Sequence, residues 1–401
     1  MSPSSSDRLS VTEVARRAGV TPATLKRWAK QGLLPEVTAR DGWTAGAAAH
    51  ARIIARLRER GHSIESIRDA TQSGKLAFGY IEELMPSSSG DISIEDAARE
   101  TGLEPALIDR IYTTLGFNST AMQRISDDDL QLLRYIAAVL AAGFPLVALL
   151  QICRVYGQAL AQIADAEVRL FHLYVHEPLM REGVPGLDMA EEMEVLAREL
   201  LPLASPIMDH IHQRFLGHFV EQDVVGHMEA EVGDTSMELG RLKVAIAFAD
   251  LAGYTRLTEE QGEEEAVGAV ERFVEAVEHS LPEDARVIKT IGDEVMVVGV
   301  DPAALVDWAV GFQLIMNERP LPRIGIHYGE VLYRDGDYYG REVNLAARVA
   351  ARSAGGEVIV TRTVVEVAGE HLELVRIGEV RLKGFTDPTE LFLARPAEEA
   401  D

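Results

Sequence analysis

The chain has 401 residues, of which 47% are hydrophobic and 26% charged. This ordinary globular composition argues against disorder, and the length predicts two or three domains, each with its own core. Cys153 is the single cysteine, which excludes an intramolecular disulfide and a cysteine-rich metal site and favours a reducing, cytoplasmic setting. We expect a soluble protein with no membrane partner, because no uncharged apolar run is long enough to span a bilayer and the first residues lack an export signal.

The net charge of −25 is unevenly distributed along the chain. Residues 1–75 contain 13 Lys and Arg against 7 Asp and Glu, which leaves that segment at +6 and the remainder at −31. A basic segment can meet nucleic acid. The acidic remainder is repelled by phosphate and would need metal ions to accept a polyphosphate.

The first unit, residues 1–85, has the pattern of a DNA-binding head. The stretch LSVTEVARRAGVTPATLKRWAKQGLLP carries capping, proline and glycine signals for two short helices joined by a turn. With a small wing at residues 36–43 and the later RERGHSIESIRDATQSGKL, it resembles the N-terminus of the MerR family. That resemblance implies a recognition helix in which Lys26, Arg27 and Lys30 face DNA. The alternative is a relic fold that now serves dimerisation or sensing, which the weakly basic wing and the acidic body favour.

The second unit, residues 86–235, is predicted to be helical. It follows the polar break PSSSGD, begins with two short helices in ISIEDAARETGLEPALIDRIYTTLGF and continues in long amphipathic helices. Apolar residues recur every three or four positions, so these helices are expected to pack in a bundle or a dimer. Six histidines fall within this unit: His172, His176, His210, His212, His218 and His227. They are either scattered surface and capping residues or parts of a pH-sensitive regulatory bundle.

The third unit, residues 236–401, alternates β-branched runs with helical stretches. KVAIAFADL, ARVIKTIGDEVMVVGV and PRIGIHYGEVLYR predict strands, and EEEAVGAVERFVEAVEHSL, AALVDWAVGFQLIMN and REVNLAARVAARS predict helices. EVIVT and ELFLA add strands near the end. The order βαββαβ predicts an α+β ferredoxin-like sheet with its helices on one face. The chain is therefore predicted to be multidomain, with two all-α units followed by this α+β domain.

Two acids of the third unit are candidate metal ligands. Asp250 ends the first strand in FADLAGYT, and Asp293 lies at the hairpin turn of KTIGDEVM, so neighbouring strands can bring both carboxylates to one edge. With free backbone amides of Ala252, Gly253 and Tyr254 beside them, these carboxylates could hold hard cations and bridging phosphates. Considered singly, Asp250 as a helix cap and Asp293 as a turn residue are equally good interpretations.

Four further polar residues are candidates for the same site because of their positions in the sequence. Lys289 interrupts an apolar strand four residues before Asp293, and Asp337 follows a strand in GDYYGREVNLAARV. Asn344 and Arg348 lie at i and i+4, so they share one face of a helix near its N-terminus, where an anionic group is favoured. Considered alone, each of the four has an ordinary interpretation as a strand-edge, turn or solvated helix residue.

Taken together and in this order, these motifs are similar to those of a known family. Residues 242–394 resemble the catalytic domain of class III adenylyl and guanylyl cyclases through FADLAGYT, KTIGDEVM, RIGIHYGEV, GDYYGREVNLAARV and VRLKGFTDPTELF. The resemblance implies that Asp250 and Asp293 bind two Mg²⁺ or Mn²⁺ ions per active site. It also implies that Asn344 orients the ribose and that Arg348 stabilises the transition state.

By the same resemblance Lys289 and Asp337 select the base. A lysine donor beside a carboxylate acceptor complements N1 and the N6 amine of adenine, whereas guanine presents O6 as an acceptor and N1 and N2 as donors. Guanylyl cyclases usually carry a glutamate and a cysteine or similar residue here, so the pair favours ATP and leaves GTP as the alternative. Glu330 stands where some mammalian domains carry a phosphate-binding arginine, and Lys383 in RLKGF is a weak candidate for that contact.

The family resemblance also implies a homodimer, because one chain supplies the metal acids of each site and its partner supplies the other residues. The second unit resembles the regulatory domain found ahead of soluble actinobacterial adenylyl cyclases. We therefore predict an adenylyl cyclase that makes 3′,5′-cyclic AMP and pyrophosphate from ATP under the control of its helical units. The alternative is a DNA-binding transcriptional regulator whose cyclase-like domain senses a nucleotide. Arg348 favours the enzyme, because a sensor has no use for a transition-state residue.

Overall fold

The computed structural model describes residues 8–34, 42–77, 79, 81, 90–117, 124–230, 240–369 and 371–397. The chain divides into two compact units, an N-terminal unit (Met1–His218) and a C-terminal unit (Phe219–Asp401). Most of the predicted wing (residues 36–41) and most of the predicted polar break (residues 86–89) lie outside the described residues.

The N-terminal unit is helical. Its helices, the last of which continues into the C-terminal unit, are α1 (Val11–Arg17), α2 (Pro22–Lys30), α3 (Ala45–Glu59), α4 (Ile64–Gln72), α5 (Ile94–Thr101), α6 (Pro105–Leu115), α7 (Asp127–Ala141), α8 (Leu146–Phe171), α9 (Glu177–Arg181) and α10 (Gly186–Ala230). A π-helical turn, His172–His176, joins α8 to α9, and two short strands, β1 (Ile92–Ser93) and β2 (Arg124–Ile125), pair antiparallel. Side chains of Ser10 and Thr21 accept hydrogen bonds from backbone amides at the starts of α1 and α2, as the capping signals predict.

Two hydrophobic cores hold the N-terminal unit together. The first packs α1 to α4 against the beginning of α10, from which Met189 and Met193 are fully buried. The second packs α5 to α8 around Ile108, Ile111 and Tyr112. The head predicted at residues 1–85 therefore shares its core with side chains that come more than 100 residues later in the chain.

One stretch of the N-terminal unit is both long and apolar. Among the described residues only Leu146–Arg181 is long and apolar enough, by length and composition alone, to cross a membrane. Within its apolar window of 18 residues, 17% of the residues are buried. Large apolar side chains are exposed along α8, including Leu160, Ile163 and Val168. Similar side chains are exposed along α10, including Ile207, Ile211 and Phe215. Both helices therefore present apolar faces of the kind that another surface covers.

The C-terminal unit is built on an eight-stranded mixed sheet. Its strands are β3 (Arg241–Leu251), β4 (Ala285–Ile291), β5 (Glu294–Gly299), β6 (Pro322–Arg334), β7 (Asp337–Tyr339), β8 (Val358–Thr361), β9 (Leu372–Val380) and β10 (Thr389–Pro396). Its helices after α10 are α11 (Tyr254–Gln261), α12 (Glu263–Ser280), α13 (Pro302–Ile315), α14 (Arg341–Ala350) and α15 (Arg362–Val365). The strand order is β4-β5-β3-β6-β8-β10-β9, with β7 paired to β6. The first four strands of that order are antiparallel neighbours connected as βαββαβ, as the sequence predicts.

The two helices of the βαββαβ unit, α12 and α13, lie on one face of the sheet as predicted, and the later helix α14 lies on the other. Alternate residues of β3, such as Ala245 and Ala247, face the core formed with α12 and α13, while Val244 and Ile246 face a second core formed with α14. Both faces of β3 are buried, which explains why KVAIAFADL is apolar without alternation. The sheet therefore lies between helices, and α14 packs on the face opposite α12 and α13.

Candidate active site

The end of β3 collects charged residues from three strands. Asp250 lies opposite Glu294 of β5 and opposite Arg323 of β6 in the antiparallel register. Asp293 occupies the turn between β4 and β5, after Gly292, whose φ of +66° lies in the left-handed region that glycine adopts readily. The strand pairing thus brings the two predicted metal acids to one edge of the sheet.

Asp250, Asp293 and Glu294 form what we call the acidic edge, and their negative charges are only partly balanced by a positive one. The guanidinium of Arg323 contacts the Asp250 carboxylate, with Nε 2.7 Å from Oδ2. Burial and a hydrogen bond with Asp250 raise the pKa of the Asp293 carboxyl from 3.8 to about 6. Burial, together with the charge of Asp250, also raises the pKa of Glu294. The sequence alone did not predict a role for Arg323 or Glu294. An arginine at the start of the apolar strand PRIGIHYG is nevertheless a signal of a charged site at that end of the strand.

The donor set of the acidic edge fits a divalent cation whose coordination is completed by a ligand. Two adjacent carboxylates supply the oxygen donors that Mg²⁺ and Mn²⁺ prefer, and burial together with the neighbouring Asp250 raises the pKa of Asp293, an effect that a cation would oppose. In the described part of the chain, no group of three or more His, Cys, Asp or Glu side chains could hold a metal. The remaining ligands would therefore be waters and phosphate oxygens, as is usual for Mg²⁺ at nucleotide sites.

The two predicted base-selecting residues form an ion pair. Nζ of Lys289 on β4 contacts Oδ2 of Asp337 on β7, with the side chains 37% and 24% exposed. The backbone amide of Tyr338 donates to the other oxygen of Asp337 at 2.8 Å, which fixes the orientation of that carboxylate. Residues 48 positions apart in the chain therefore present a donor and an acceptor side by side.

The helix α14 carries the other two predicted site residues on its exposed face. Asn344 and Arg348 are exposed, while Leu345, Ala346 and Val349 on the opposite side are buried against the sheet. The positive charge of Arg348 lowers the pKa of Glu294 against the larger effect of burial, so the Arg348 guanidinium lies within electrostatic reach of the acidic edge. The structure thus places this face of α14 near the acidic end of the sheet.

The predicted phosphate loop differs in one respect from the expectation. The amide of Ala252 is not free, because it donates a hydrogen bond to the carbonyl of Leu321 at 2.9 Å. Gly253 takes a φ of +90° at the start of α11, which allows the sharp turn after β3. Any contribution of this loop to an anion therefore falls to the amides of Gly253 and Tyr254, at the N-terminus of α11.

Glu330, which replaces a phosphate-binding arginine of some relatives of the family, and Lys383, the candidate for that contact, lie on β6 and in the loop after β9. Glu330 pairs with Arg241, with Oε1 2.7 Å from Nη1, and thus has a partner on β3. Lys383 is exposed in the loop between β9 and β10. The structure gives no further support to a role for Lys383.

The other predicted residues lie in the N-terminal unit. Lys26, Arg27 and Lys30 are exposed on α2, and their contact with DNA stays a prediction. Among the six histidines, His172 and His176 meet across the π-helical turn, with their Nδ1 atoms 2.9 Å apart. His210, His212 and His218 are exposed on α10, and the side chain of His227 lies outside the described residues.

Models of three known families match segments of the chain. The family model of the adenylate and guanylate cyclase catalytic domain matches residues 241–395. Residues 241–395 are thus similar to the catalytic domains of adenylate and guanylate cyclases. The model of the adenylate cyclase regulatory domain matches residues 31–220, and the model of the MerR family regulatory protein matches residues 10–42. These matches confirm the three resemblances seen in the sequence.

The similarity to some relatives extends over most of the chain. It is 29% identical over 370 residues to a protein named pH-sensitive adenylate cyclase MT1302 from Mycobacterium tuberculosis, covering 88% of this chain and 89% of that protein. It is 28% identical over 276 residues to a protein named adenylate cyclase from Streptomyces coelicolor, covering 67% of this chain and 70% of that one. The crystal structure of the adenylyl cyclase CyaB from P. aeruginosa is 22% identical, with a TM-score of 0.36, over 41% of this chain and 98% of that chain.

Proposed function

We propose that the protein is an adenylate cyclase, a phosphorus–oxygen lyase that converts ATP into 3′,5′-cyclic AMP and pyrophosphate. The observation that carries the choice of ATP is the Lys289–Asp337 ion pair. The domain family includes both adenylate and guanylate cyclases, so the base must be assigned from the site itself. The relatives named adenylate cyclase support the same choice.

Adenine recognition follows from the hydrogen-bonding groups of this pair. An ammonium group donates and a carboxylate accepts, which matches N1 and the N6 amine of adenine. Guanine would set its O6 acceptor and its N1 donor against the same two groups in the opposite sense. A site built to hydrogen-bond one pattern rejects the other because its polar groups lose their partners on binding.

The acidic edge would handle the triphosphate. Asp250 and Asp293 would hold two divalent cations, which supply a lowered pKa for the ribose 3′-hydroxyl and charge neutralisation for the pyrophosphate. Arg323 pairs with Asp250 while no cation is bound.

The polar face of α14 would act on the reacting centre. In the reaction the ribose 3′-oxygen bonds to the α-phosphorus as the bond to the β-phosphate oxygen breaks, and pyrophosphate leaves. Asn344 would hydrogen-bond the ribose and orient its hydroxyl. Arg348 would donate from its planar guanidinium to the α-phosphoryl oxygens as their negative charge grows.

We further propose that the active enzyme is a homodimer in which each site takes its acidic edge from one chain and its α14 face from the other. The exposed apolar side chains along α8 and α10 support a dimer, since a second copy could cover them. A closed two-fold arrangement would produce two equivalent sites from one kind of chain.

The direct test is to incubate the purified full chain with Mn²⁺ and either ATP or GTP, and to measure cyclic nucleotide and pyrophosphate. We expect cyclic AMP and pyrophosphate in equal amounts, with ATP strongly preferred. An Asp250→Asn variant serves as the inactive control. Cyclic GMP as the main product, or nucleotide binding without turnover, would contradict the proposal.

A second candidate function, pH-dependent regulation, rests on a specific contact in the N-terminal unit. His176 is buried, with Nε2 2.7 Å from the carbonyl oxygen of Gly74 and Nδ1 2.9 Å from Nδ1 of His172. Two facing Nδ1 atoms need one donor and one acceptor, so protonation of both rings would set two donors against each other. Glu177, 4.0 Å from His172 Nε2, is the acidic group nearby.

The pH proposal is tested with cyclase activity of the full chain between pH 5.5 and 8. We expect His176→Asn to flatten the profile, whereas His210→Asn, at an exposed position on α10, retains it. Identical profiles for the wild type and His176→Asn would rule out this sensor. One relative is named a pH-sensitive adenylate cyclase, which is why the range is chosen.

A further inference from the structure

A buried polar cluster joins β6 to α14 behind the candidate active site. His327 of β6 is 5% exposed, and its Nδ1 lies 2.9 Å from Oγ1 of Thr361 on β8. Its Nε2 lies 2.7 Å from Oε2 of Glu342 in the first turn of α14. The hydroxyl of Thr363 lies 3.1 Å from that of Thr361 and closes the cluster from α15.

The face of β6 that receives α14 is formed by three alternating residues, Gly325, His327 and Gly329. A Cβ at Gly325 would stand 2.0 Å from the backbone nitrogen of Ala350, and one at Gly329 would stand 3.2 Å from Cγ of Glu342. Glycine at both outer positions therefore allows α14 to lie directly against the strand. His327 is the residue between them, and it is the side chain that reaches the helix.

The charges in this cluster favour a neutral imidazole bound to a carboxylate. Burial lowers the pKa of His327, while Glu342 opposes that shift and Arg341 adds to it. A neutral ring carries one protonated nitrogen, and the carboxylate of Glu342 requires that it be Nε2. Nδ1 is then an acceptor for the hydroxyl of Thr361. The ring thus lies between a hydroxyl on β8 and a carboxylate on α14.

The other contacts of Glu342 are weaker constraints. Arg341 approaches it at 3.2 Å, but the Arg341 side chain is 61% exposed, and its guanidinium also lies over the ring of Phe385 at 4.9 Å. A buried contact between fixed elements holds a helix more firmly than an exposed arginine does, because the exposed pair is screened by solvent. Among these contacts the one to His327 is the one made from the sheet.

We propose that His327 is a positioning residue for catalysis: by holding Glu342 it fixes the rotation and height of α14, and with them Asn344 and Arg348. This inference rests on the proposed function, because it takes those two residues as ribose and transition-state contacts. His327 acts through the helix and touches no substrate. Lys289 and Asp337 lie on β4 and β7, so base selection is independent of His327.

The first test compares kinetics of the full chain carrying His327→Asn or Glu342→Gln with the wild type. We expect kcat to fall roughly tenfold to hundredfold, because misplacement of a reacting group by about 1 Å has effects of that size. KM for ATP and the preference for ATP over GTP should change less than about twofold. The matched control is His371→Asn, which removes an exposed contact of 2.8 Å to Asp307 in the same domain, and we expect it to retain wild-type kcat.

The second test separates positioning from a general loss of folded enzyme. Combined with Asn344→Ala, the His327→Asn substitution should cost less than the product of the two single losses, because both act through α14. Combined with Lys289→Ala, the losses should multiply. Titration with a non-cleavable ATP analogue measures the active fraction, so that a folding defect is corrected for. Glu342→Asp, which keeps the carboxylate, should recover part of the kcat lost in Glu342→Gln.

The outcomes distinguish this inference from the function on which it rests. A wild type that makes no cyclic AMP overturns the proposed function, and this inference with it. An active wild type overturns only the inference if His327→Asn keeps its kcat per active site, or if the losses multiply with both Asn344→Ala and Lys289→Ala. A tenfold or larger loss of kcat that is non-multiplicative only with Asn344→Ala supports it.

Discussion

The two halves of the candidate active site are balanced in different ways. At the acidic edge, Asp250, Asp293 and Glu294 lie near the guanidinium of Arg323, which contacts Asp250. Burial and mutual repulsion raise the pKa of Asp293 and Glu294, which means that ionising this edge fully is unfavourable without an added positive charge. This half of the site is incomplete until a cation binds.

The other half is complementary before any ligand arrives. Lys289 and Asp337 satisfy each other in an ion pair, and Asn344 and Arg348 lie exposed on a helix whose other side is buried. A nucleotide that binds there would replace the contact between Lys289 and Asp337 with hydrogen bonds from these residues to its base. The contrast teaches that metal should govern the acidic edge, whereas nucleotide identity and turnover should be governed by the second half, and each prediction below tests that division.

The largest effect is expected at Arg348. Arg348→Ala should lower kcat roughly a hundredfold to a thousandfold with a much smaller change in KM, because the guanidinium acts mainly on charge that develops in the transition state. Steady-state cyclic AMP production measures both constants. Arg352→Ala, at an exposed position just after α14, is the matched control and should stay near wild type. Equal losses in kcat and in ATP affinity would count against this role.

Mixing two inactive variants tests whether the halves come from different chains. Asp250→Ala destroys the acidic edge and Arg348→Ala destroys the α14 face, so each homodimer lacks a complete site. In an equal mixture, half of the dimers are mixed and each has one intact site, which should restore about a quarter of wild-type activity. Activity is measured after co-refolding or co-expression. A mixture no more active than its components would refute sharing of the site between chains.

Changes at the base-selecting pair should have a smaller effect on rate and a selective effect on substrate. Lys289→Glu should reduce the ratio of kcat/KM for ATP to that for GTP by about tenfold or more, because the donor to N1 of adenine is replaced by an acceptor. Lys243→Glu, on β3 with its ammonium 4.9 Å from the ring centroid of Tyr328, is a charge-matched control. An unchanged ratio in Lys289→Glu would remove the basis for assigning ATP.

The sequence was sufficient to place some parts of this site and not others. The apolar runs and the turn at Gly292 predict β3, β4 and β5, and with them the approach of Asp250 to Asp293, because hairpin register leaves little freedom. The side of the sheet on which α14 packs was not predicted. That choice depends on glycines at 325 and 329 opening one face of β6, and spacing alone does not reveal it.

Contacts between residues that are far apart in the chain were the other feature that the sequence did not predict. Arg323 as the counter-ion of Asp250, and Met189 in the core of the head, depend on contacts between residues 73 and more than 100 positions apart. Met189 does not stand out from its own neighbourhood in the sequence, and the position of Arg323 does not reveal which acid it contacts. β9 was also missed, because LELVRIGEV mixes charged and apolar residues, as an edge strand with one solvated side does.

The smallest effect concerns the stability of the metal-free protein. The pKa of Asp293 in the folded chain is about 6, above its usual value of 3.8. Between these two pH values the folded state holds a proton that the unfolded state has lost, so the free energy of unfolding falls as pH rises from about 4 to 6 and then levels off. Asp293→Asn removes this group, and with it that decline.

In the presence of a chelator, Asp293→Asn should therefore raise Tm by about 1–3 °C above pH 6 and leave it unchanged near pH 4. Added Mn²⁺ should reverse the order at neutral pH, because the wild type gains a cation that the variant binds more weakly. Thermal melts at pH 4 to 8, with and without Mn²⁺, measure both effects, and Asp387→Asn at an exposed loop position is the control. If Asp293→Asn lowers Tm in chelator at pH 7, the acidic edge is stable without a cation, and the contrast between the two halves fails.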